Sequence, residues 1–75
     1  MELHNQANQF LLTEREKEVL TLLAKGYSAS LIAKELNISV TTVVSHREHI
    51  KEKIGAKNTP ELINLAWEKG ILGSI

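Results

Sequence analysis

The side chains best suited to binding chemistry lie between residues 39 and 58. This segment has four basic residues against two acidic ones, whereas the 75-residue chain has nine of each and no net charge. Residues 1–38 and residues 59–75 each carry one excess negative charge. A local excess of two cations favours an anionic partner such as a phosphate backbone. The excess is small, so we expect one copy of the chain to bind nucleic acid weakly.

Catalysis has little support in the residue types. The chain has no glycine-rich phosphate loop, no nucleophile with an evident base and no carboxylate pair in an apolar setting. It has no cysteine, and its three histidines, His4, His46 and His49, have no aspartate near them. We therefore predict no enzyme activity, no metal site and no cofactor.

The stretch 28–54 must position the charged segment, and its pattern predicts two capped helices joined by a tight turn. Ser28 precedes a short run of apolar residues at helical spacing, and Ser39 precedes a longer helix. Asn37 tolerates the left-handed backbone that ends a helix. The apolar stripe of the second helix consists of Val43, Ile50 and Ile54. Such a helix-turn-helix commonly presents its second helix to the major groove of DNA.

One further helix is predicted on each side of this unit. Thr13 and Glu16, three residues apart, form a capping-box pattern that starts helix one. We expect Thr59 to cap helix four, with Pro60 in its first turn. Gly70 should end helix four and leave an apolar tail. The predicted fold class is therefore all-α with four helices.

The chain ends allow a prediction of domain limits and location. Residues 1–11 are expected to form a partly disordered N-terminal arm, and residues 12–75 the helix-turn-helix domain. The sequence has no run of about 18 apolar residues and no basic-then-apolar start. We therefore expect no membrane span, no signal peptide and a cytoplasmic location.

These residues, taken in order, resemble the LuxR/GerE-type (FixJ-like) helix-turn-helix domain from residue 12 to about residue 72. The matching residues are Leu12-Thr13, Arg15-Glu16, Glu18-Val19-Leu20, Leu23, Gly26, Ser28, Ile32-Ala33, Leu36, Ile38-Ser39, Thr42-Val43, His46-Arg47, Ile50, Lys53-Ile54-Gly55 and Glu61-Leu62. The resemblance implies a four-helix bundle whose third helix enters the major groove and whose fourth helix pairs two subunits. It also implies either a stand-alone regulator or the output domain of a response regulator or quorum-sensing activator.

Helix position and this resemblance together select base-contacting candidates on helix three. They are Thr41, Thr42, Val44, Ser45 and Glu48. Val44 is suited to a thymine methyl group, and Ser45 to hydrogen bonds with several bases. A carboxylate at Glu48 would repel phosphate or accept a hydrogen bond from a cytosine amine. The family often has a basic residue where this chain has Val44. The alternative for the whole set is an ordinary solvated helix face.

Phosphate-contacting candidates flank this set and include both predicted caps. They are Ser28, Ser39, His46, Arg47, Lys51 and Lys53. The two serines offer hydroxyls and helix-end amides to an anion, and they should cap their helices in any case. For the cations the alternative role is solubilising charge. His46 also suggests a pH switch, but packing beside Val43 and Ile50 is the favoured interpretation.

Helix four supplies the candidates for a homodimer interface. Ile63 and Trp67 lie four residues apart, and large aromatic residues are frequent interface anchors. The alternative for Trp67 is core packing against Phe10 or against the tail at Ile71 and Leu72. A dimer would place two recognition helices about one turn of DNA apart and double the phosphate contacts.

The sequence thus predicts a dimeric regulator of transcription that binds double-stranded DNA through helix three, with RNA polymerase as a further partner. The zero net charge motivates an alternative, a protein-interaction module whose helix-three face around Val44 binds a regulator or RNA polymerase. A third possibility is a segment like the promoter-reading end of sigma factors. The fourth helix after Gly55 and the signature from Thr42-Val43 to His46-Arg47 argue against it.

Overall fold

A computed structural model describes residues 11–74, which form helices and no strand. The elements are α1 (Glu14–Ala24), α2 (Ala29–Leu36), α3 (Val40–Ile54), α4 (Thr59–Glu68) and α5 (Ile71–Ser74). The predicted all-α class is confirmed. The predicted arm, apart from Leu11, and Ile75 lie outside the described residues. No helix within residues 11–74 has the length and apolar character needed to cross a membrane.

The fold differs from the predicted four helices at its C-terminal end. Residues predicted as an apolar tail form the short helix α5 after Gly70, whose φ of 76° takes the chain out of α4. Ile71 is completely buried. Burying such a side chain stabilises the fold by about 1.5–3 kcal/mol, which explains why the segment packs against the domain.

Side-chain caps set the starts of the first three helices, as predicted. The Thr13 hydroxyl accepts a hydrogen bond from the Glu16 amide, and the Glu16 carboxylate accepts one from the Thr13 amide, each at 3.0 Å. The hydroxyls of Ser28 and Ser39 accept from amides three residues later, at 3.2 and 3.0 Å. These bonds satisfy backbone donors that a helix start leaves without partners.

The cap of α4 was predicted one residue too late. Asn58, in extended conformation, accepts a hydrogen bond at 2.8 Å from the amide of Glu61, and Thr59 is already helical. The Glu61 carboxylate in turn accepts from the amide of Lys57 at 2.6 Å. Asparagine is at least as good a cap as threonine, and the path of the backbone puts Asn58 in the extended conformation of a cap. Pro60 lies in the first turn, as predicted.

The core lies where α3 packs against α1, α2 and α4. Its buried apolar residues are Leu12, Val19, Leu20, Leu23, Ile32, Ala33, Val43, Ile50, Ile54, Leu62, Ala66 and Ile71. Leu22, Leu36 and Leu65 pack against this core while half-buried. The helix-turn-helix therefore rests on a platform formed by α1 and α4.

Candidate nucleic-acid interface

The turn between α2 and α3 spans only residues 37–39. Asn37 adopts the left-handed conformation, with φ 57° and ψ 47°. The Ile38 amide then donates to the Ala33 carbonyl at 3.0 Å, which closes the end of α2. Ser39 follows at once as the cap of α3. Because the connection is only three residues long, the end of α2 fixes the direction of α3.

The buried stripe of α3 determines which face points outward. Val43, Ile50 and Ile54 are buried against the other helices. Thr41, Ser45 and Glu48, on the opposite side, are exposed and lie about one turn apart. The three candidates predicted for this face are therefore brought together on one solvent-facing strip.

Two valines border this strip. Val44 is half-buried, and Val40, four residues earlier at the first position of α3, has 45% of its surface exposed. Residues at this spacing lie on the same side of a helix. Val40 was not among the predicted site residues, although its spacing from Val44 was the signal that could have identified it.

Thr42 lies on the flank of α3 beside the cap. Its hydroxyl is 2.8 Å from the hydroxyl of Ser39, and its amide donates to the same oxygen. The Thr42 side chain thus helps to hold the first turn of α3 in place. Ser28 and Ser39, the two caps, are both exposed at the starts of α2 and α3. Their hydroxyls and nearby amides are available to an anion.

Two of the residues predicted to contact phosphate lie beside Glu48. The Lys51 ammonium lies 2.9 Å from its carboxylate, and the Arg47 Nε lies 3.7 Å from the same oxygen. The hydrogen bond from Lys51 and the charges of both cations lower the pKa of the Glu48 carboxyl. This group is therefore ionised at neutral pH and only accepts hydrogen bonds. The pairing also offsets the repulsion that a lone carboxylate would exert on phosphate.

Arg47 lies one turn before Lys51, beside the buried stripe of α3, and both side chains are mostly buried. The Arg47 Nε is buried with no hydrogen-bond partner among the described residues. About a quarter of the side chain remains exposed. Arg47 therefore reaches the surface at the edge of the strip rather than at its centre.

Lys53 has partners within the domain. Its ammonium lies 2.7 Å from the Glu16 carboxylate and 3.0 Å from the Leu11 carbonyl oxygen. These two contacts join Glu16 and Leu11 to the C-terminal half of α3. Burial raises the pKa of the Glu16 carboxyl, but hydrogen bonds from Lys53 and Thr13 and the charges of Lys53 and His46 lower it overall. A phosphate contact by Lys53 stays a prediction. The structure gives its ammonium a role in holding α3 to α1, which the sequence analysis missed.

The two histidines described by the structure lie on α3. His46 is half-buried on the flank near Glu16, and His49 is exposed. Within residues 11–74, no group of three histidine, cysteine, aspartate or glutamate side chains is placed to hold a metal ion. On this flank of α3, His46 lies between the outward strip and the contact of α3 with α1.

The dimer candidates lie on α4, away from this strip. Trp67 has 58% of its surface exposed, and Ile63 is half-buried. Trp67 borders a shallow groove of about 200 Å³ together with Leu72 of α5 and residues of α1, namely Thr21, Ala24 and Lys25. Phe10, the other predicted neighbour of Trp67, lies outside the described residues. The indole thus borders the domain surface without being buried in it.

Comparison with known proteins adds an independent finding. Residues 11–66 match the family described as bacterial regulatory proteins, luxR family. The oxygen regulatory protein NreC of Staphylococcus aureus is 47% identical over 62 residues, which cover 83% of this chain and 29% of NreC. The chain therefore spans less than a third of this curated relative.

Two solved structures share the fold. The phage VqmA–DPO complex superposes with a TM-score of 0.83 at 41% identity, over 88% of this chain and 30% of that one. The VqmA dimer of Vibrio cholerae, a LuxR-type receptor, gives 0.83 at 37% identity, over 91% of this chain and 30% of that one. The resemblance to the LuxR/GerE-type domain, which rests on residues in the same order along the chain, is thereby confirmed. This chain belongs to the luxR family of bacterial regulatory proteins.

Proposed function

We propose that this chain is the DNA-binding domain of a transcriptional regulator and that α3 enters the major groove of duplex DNA. The observation that carries the proposal is the outward strip of α3, with Thr41, Ser45 and Glu48 exposed opposite a buried stripe. A major groove accommodates one α-helix and offers donors, acceptors and methyl groups to such side chains. Membership in a family of bacterial regulators supports this function.

The proposed phosphate contacts come mainly from helix starts. Ser28 and Ser39 are exposed caps, and the first turns of α2 and α3 carry backbone amides that attract anions. Arg47 and Lys51 add positive charge at the edge of the strip, although both also interact with Glu48. A phosphate contact by Lys53 stays part of the proposal, and it would compete with the bonds of its ammonium to Glu16 and Leu11.

The domain is proposed to act as a homodimer through α4, with Trp67 and Ile63 at the interface. The exposed indole supports this, as does the dimer formed by VqmA of Vibrio cholerae. Two copies would double the phosphate contacts of a chain that has no net charge. In this proposal the regulator works in the cytoplasm and acts through RNA polymerase.

The groove assignment is tested by placing two carboxylates on the strip. We expect Thr41→Glu with Ser45→Glu to reduce duplex binding at least tenfold at low salt, because both would face bases and phosphates. The control is Arg15→Gln with Lys17→Gln on α1, which changes the net charge equally and should change binding less than threefold. Circular dichroism establishes that both variants fold. Equal losses in the two variants would contradict the placement of α3 in the groove.

Salt dependence separates this function from a protein-interaction module centred on Val44. Binding through phosphates weakens steeply between low and moderate salt, whereas an apolar contact does not. The exposed Val40 and half-buried Val44 are the observations that keep the second function in view. A folded chain that enriches no duplex from a random pool would favour the protein-interaction module.

The dimer is tested by replacing the exposed indole. We expect Trp67→Ala to weaken self-association in analytical ultracentrifugation and to lower the affinity for a two-half-site duplex. Binding to a single half-site should be unchanged, since α3 is untouched. If the variant binds the two-half-site duplex as tightly as the wild type, the interface lies elsewhere.

A further inference from the structure

An apolar pair borders the outward strip of α3. Val40 and Val44 lie one turn apart, with Val40 45% exposed and Val44 half-buried. Four residues of helix rise about 6 Å, close to two base-pair steps of about 3.4 Å. The pair is therefore spaced to meet apolar groups on two base pairs that lie two steps apart. The apolar group that the major groove offers is the methyl of thymine.

The same strip has no cation at its centre. Guanine is commonly recognised by an arginine or lysine that donates to its N7 and O6 atoms. Here only about a quarter of the Arg47 side chain is exposed, at the edge of α3, and the Lys51 ammonium is held 2.9 Å from Glu48. The exposed residues at the centre are Thr41 and Ser45, which have only short hydroxyls. The strip is therefore poorly equipped to select a guanine edge.

Glu48 has the opposite property, because it only accepts hydrogen bonds. Lys51 and Arg47 lower the pKa of its carboxyl and reduce its repulsion of phosphate. One Lys51 contact leaves other lone pairs of the carboxylate available. The donor that a carboxylate selects in the major groove is the amine of cytosine.

Resting on the proposed function, we infer that α3 selects thymine methyl groups through Val40 and Val44 and a cytosine amine through Glu48, and that it contacts no guanine edge. The half-site is then defined by two thymines about two base-pair steps apart, with a cytosine beside them. Val40 becomes a specificity-determining residue that neither the sequence analysis nor the family match assigned.

The test begins with selection of duplexes from a random pool by the wild-type chain. We expect two thymines and a cytosine in the enriched half-site. Each thymine is then replaced by deoxyuridine, which removes only the methyl group. Loss of one buried methyl should weaken wild-type binding about fourfold. The variant that lacks the matching valine, Val40→Ala or Val44→Ala, should show less than a twofold penalty for that replacement.

Two further variants sharpen the result. Leu31→Ala removes an exposed apolar side chain from α2, and it should keep the full fourfold deoxyuridine penalty of the wild type. Glu48→Gln should shift the selected base from cytosine towards adenine, because glutamine pairs with the adenine edge. Thermal melting establishes that each variant is folded.

The outcomes distinguish the inference from the function on which it rests. An enriched half-site that lacks the two thymines, or one with a deoxyuridine penalty below twofold, overturns the inference and leaves the DNA-binding function standing. A penalty that stays fourfold in both alanine variants also overturns it. If the folded chain enriches no duplex, the proposed function itself fails.

Discussion

Replacing Lys53 with methionine should lower the free energy of unfolding by about 2 kcal/mol at neutral pH. The Glu16 carboxylate is only 4% exposed, and its partners are the Lys53 ammonium and the Thr13 amide. Methionine keeps most of the apolar stem of the lysine and removes the charge. The Glu16 carboxylate would then remain ionised and buried with one backbone donor.

The size of this effect follows from the exposure of the two partners. Breaking a fully buried ion pair costs about 3–5 kcal/mol, and breaking an exposed pair costs about 0–1 kcal/mol. Lys53 has 33% of its side chain exposed, which lets water replace part of the lost interaction. An intermediate value of about 2 kcal/mol lowers the melting temperature of a domain of this size by roughly 8–16 °C.

The pH dependence of this difference has a definite sign. In the wild type the pKa of Glu16 is lowered, so its contribution to stability is full above the unfolded pKa and is lost as pH falls through the folded pKa. Without Lys53, two of the contributions that lower the pKa of Glu16 are gone, so protonation of Glu16 costs the variant less stability than it costs the wild type. The gap in stability between wild type and Lys53→Met should therefore shrink as the pH is lowered from 7 to below 4.5.

Urea denaturation followed by circular dichroism at several pH values measures both effects. The matched control is Lys51→Met on the same helix, whose partner Glu48 has 52% of its side chain exposed. This control should cost less than about 1 kcal/mol. A Lys53→Met variant as stable as the control, or a gap that does not shrink in acid, would refute the assignment of the Glu16–Lys53 pair as the contact holding α1 to α3.

Two pairs of substitutions, each a test with its control, examine the ends of the helices. Asn58→Ala should cost about 1 kcal/mol because it removes the cap of α4. Thr59→Ala should cost less stability, since Thr59 is not the cap. Equal losses of stability in thermal melts would favour Thr59 as the cap of α4, as predicted from the sequence. Gly55→Ala should cost about 1 kcal/mol because φ is 87° at that position. Gly73→Ala, in α5 with open space around it, should be neutral or stabilising, and a neutral Gly55→Ala would argue against the left-handed end of α3.

Much of the fold could be predicted because its signals are local. Thr13, Ser28 and Ser39 each precede an apolar run, and Asn37 and Gly55 stand where the chain leaves a helix. The cap of α4 was misplaced because Asn58 and Thr59 are both good caps, and only the three-dimensional path decides between them. Helix α5 was missed because four residues carry too little periodicity. Its formation depends on burial of Ile71, which is a tertiary effect.

The outward strip of α3 was predictable in outline for the same reason. A buried stripe at helical spacing fixes the opposite face, so Thr41, Ser45 and Glu48 were placed correctly on a common exposed surface. The partners of the charged residues could not be predicted. Lys53 and Glu16 lie 37 residues apart in sequence, and no local pattern joins them. Only the packing of α1 against α3 shows that this lysine holds the fold together.

The pairing of these charged residues bears on how a chain without net charge could bind DNA. Counting residues gives the segment 39–58 an excess of two cations, but Lys53 is held by Glu16, and Lys51 and Arg47 share Glu48. Little free positive charge remains at the edge of α3. The proposed affinity must then come from amides at the starts of α2 and α3, from contacts within the groove and from pairing of two subunits. In such binding the amides and the paired subunits contact phosphate, and the contacts within the groove add discrimination between sequences.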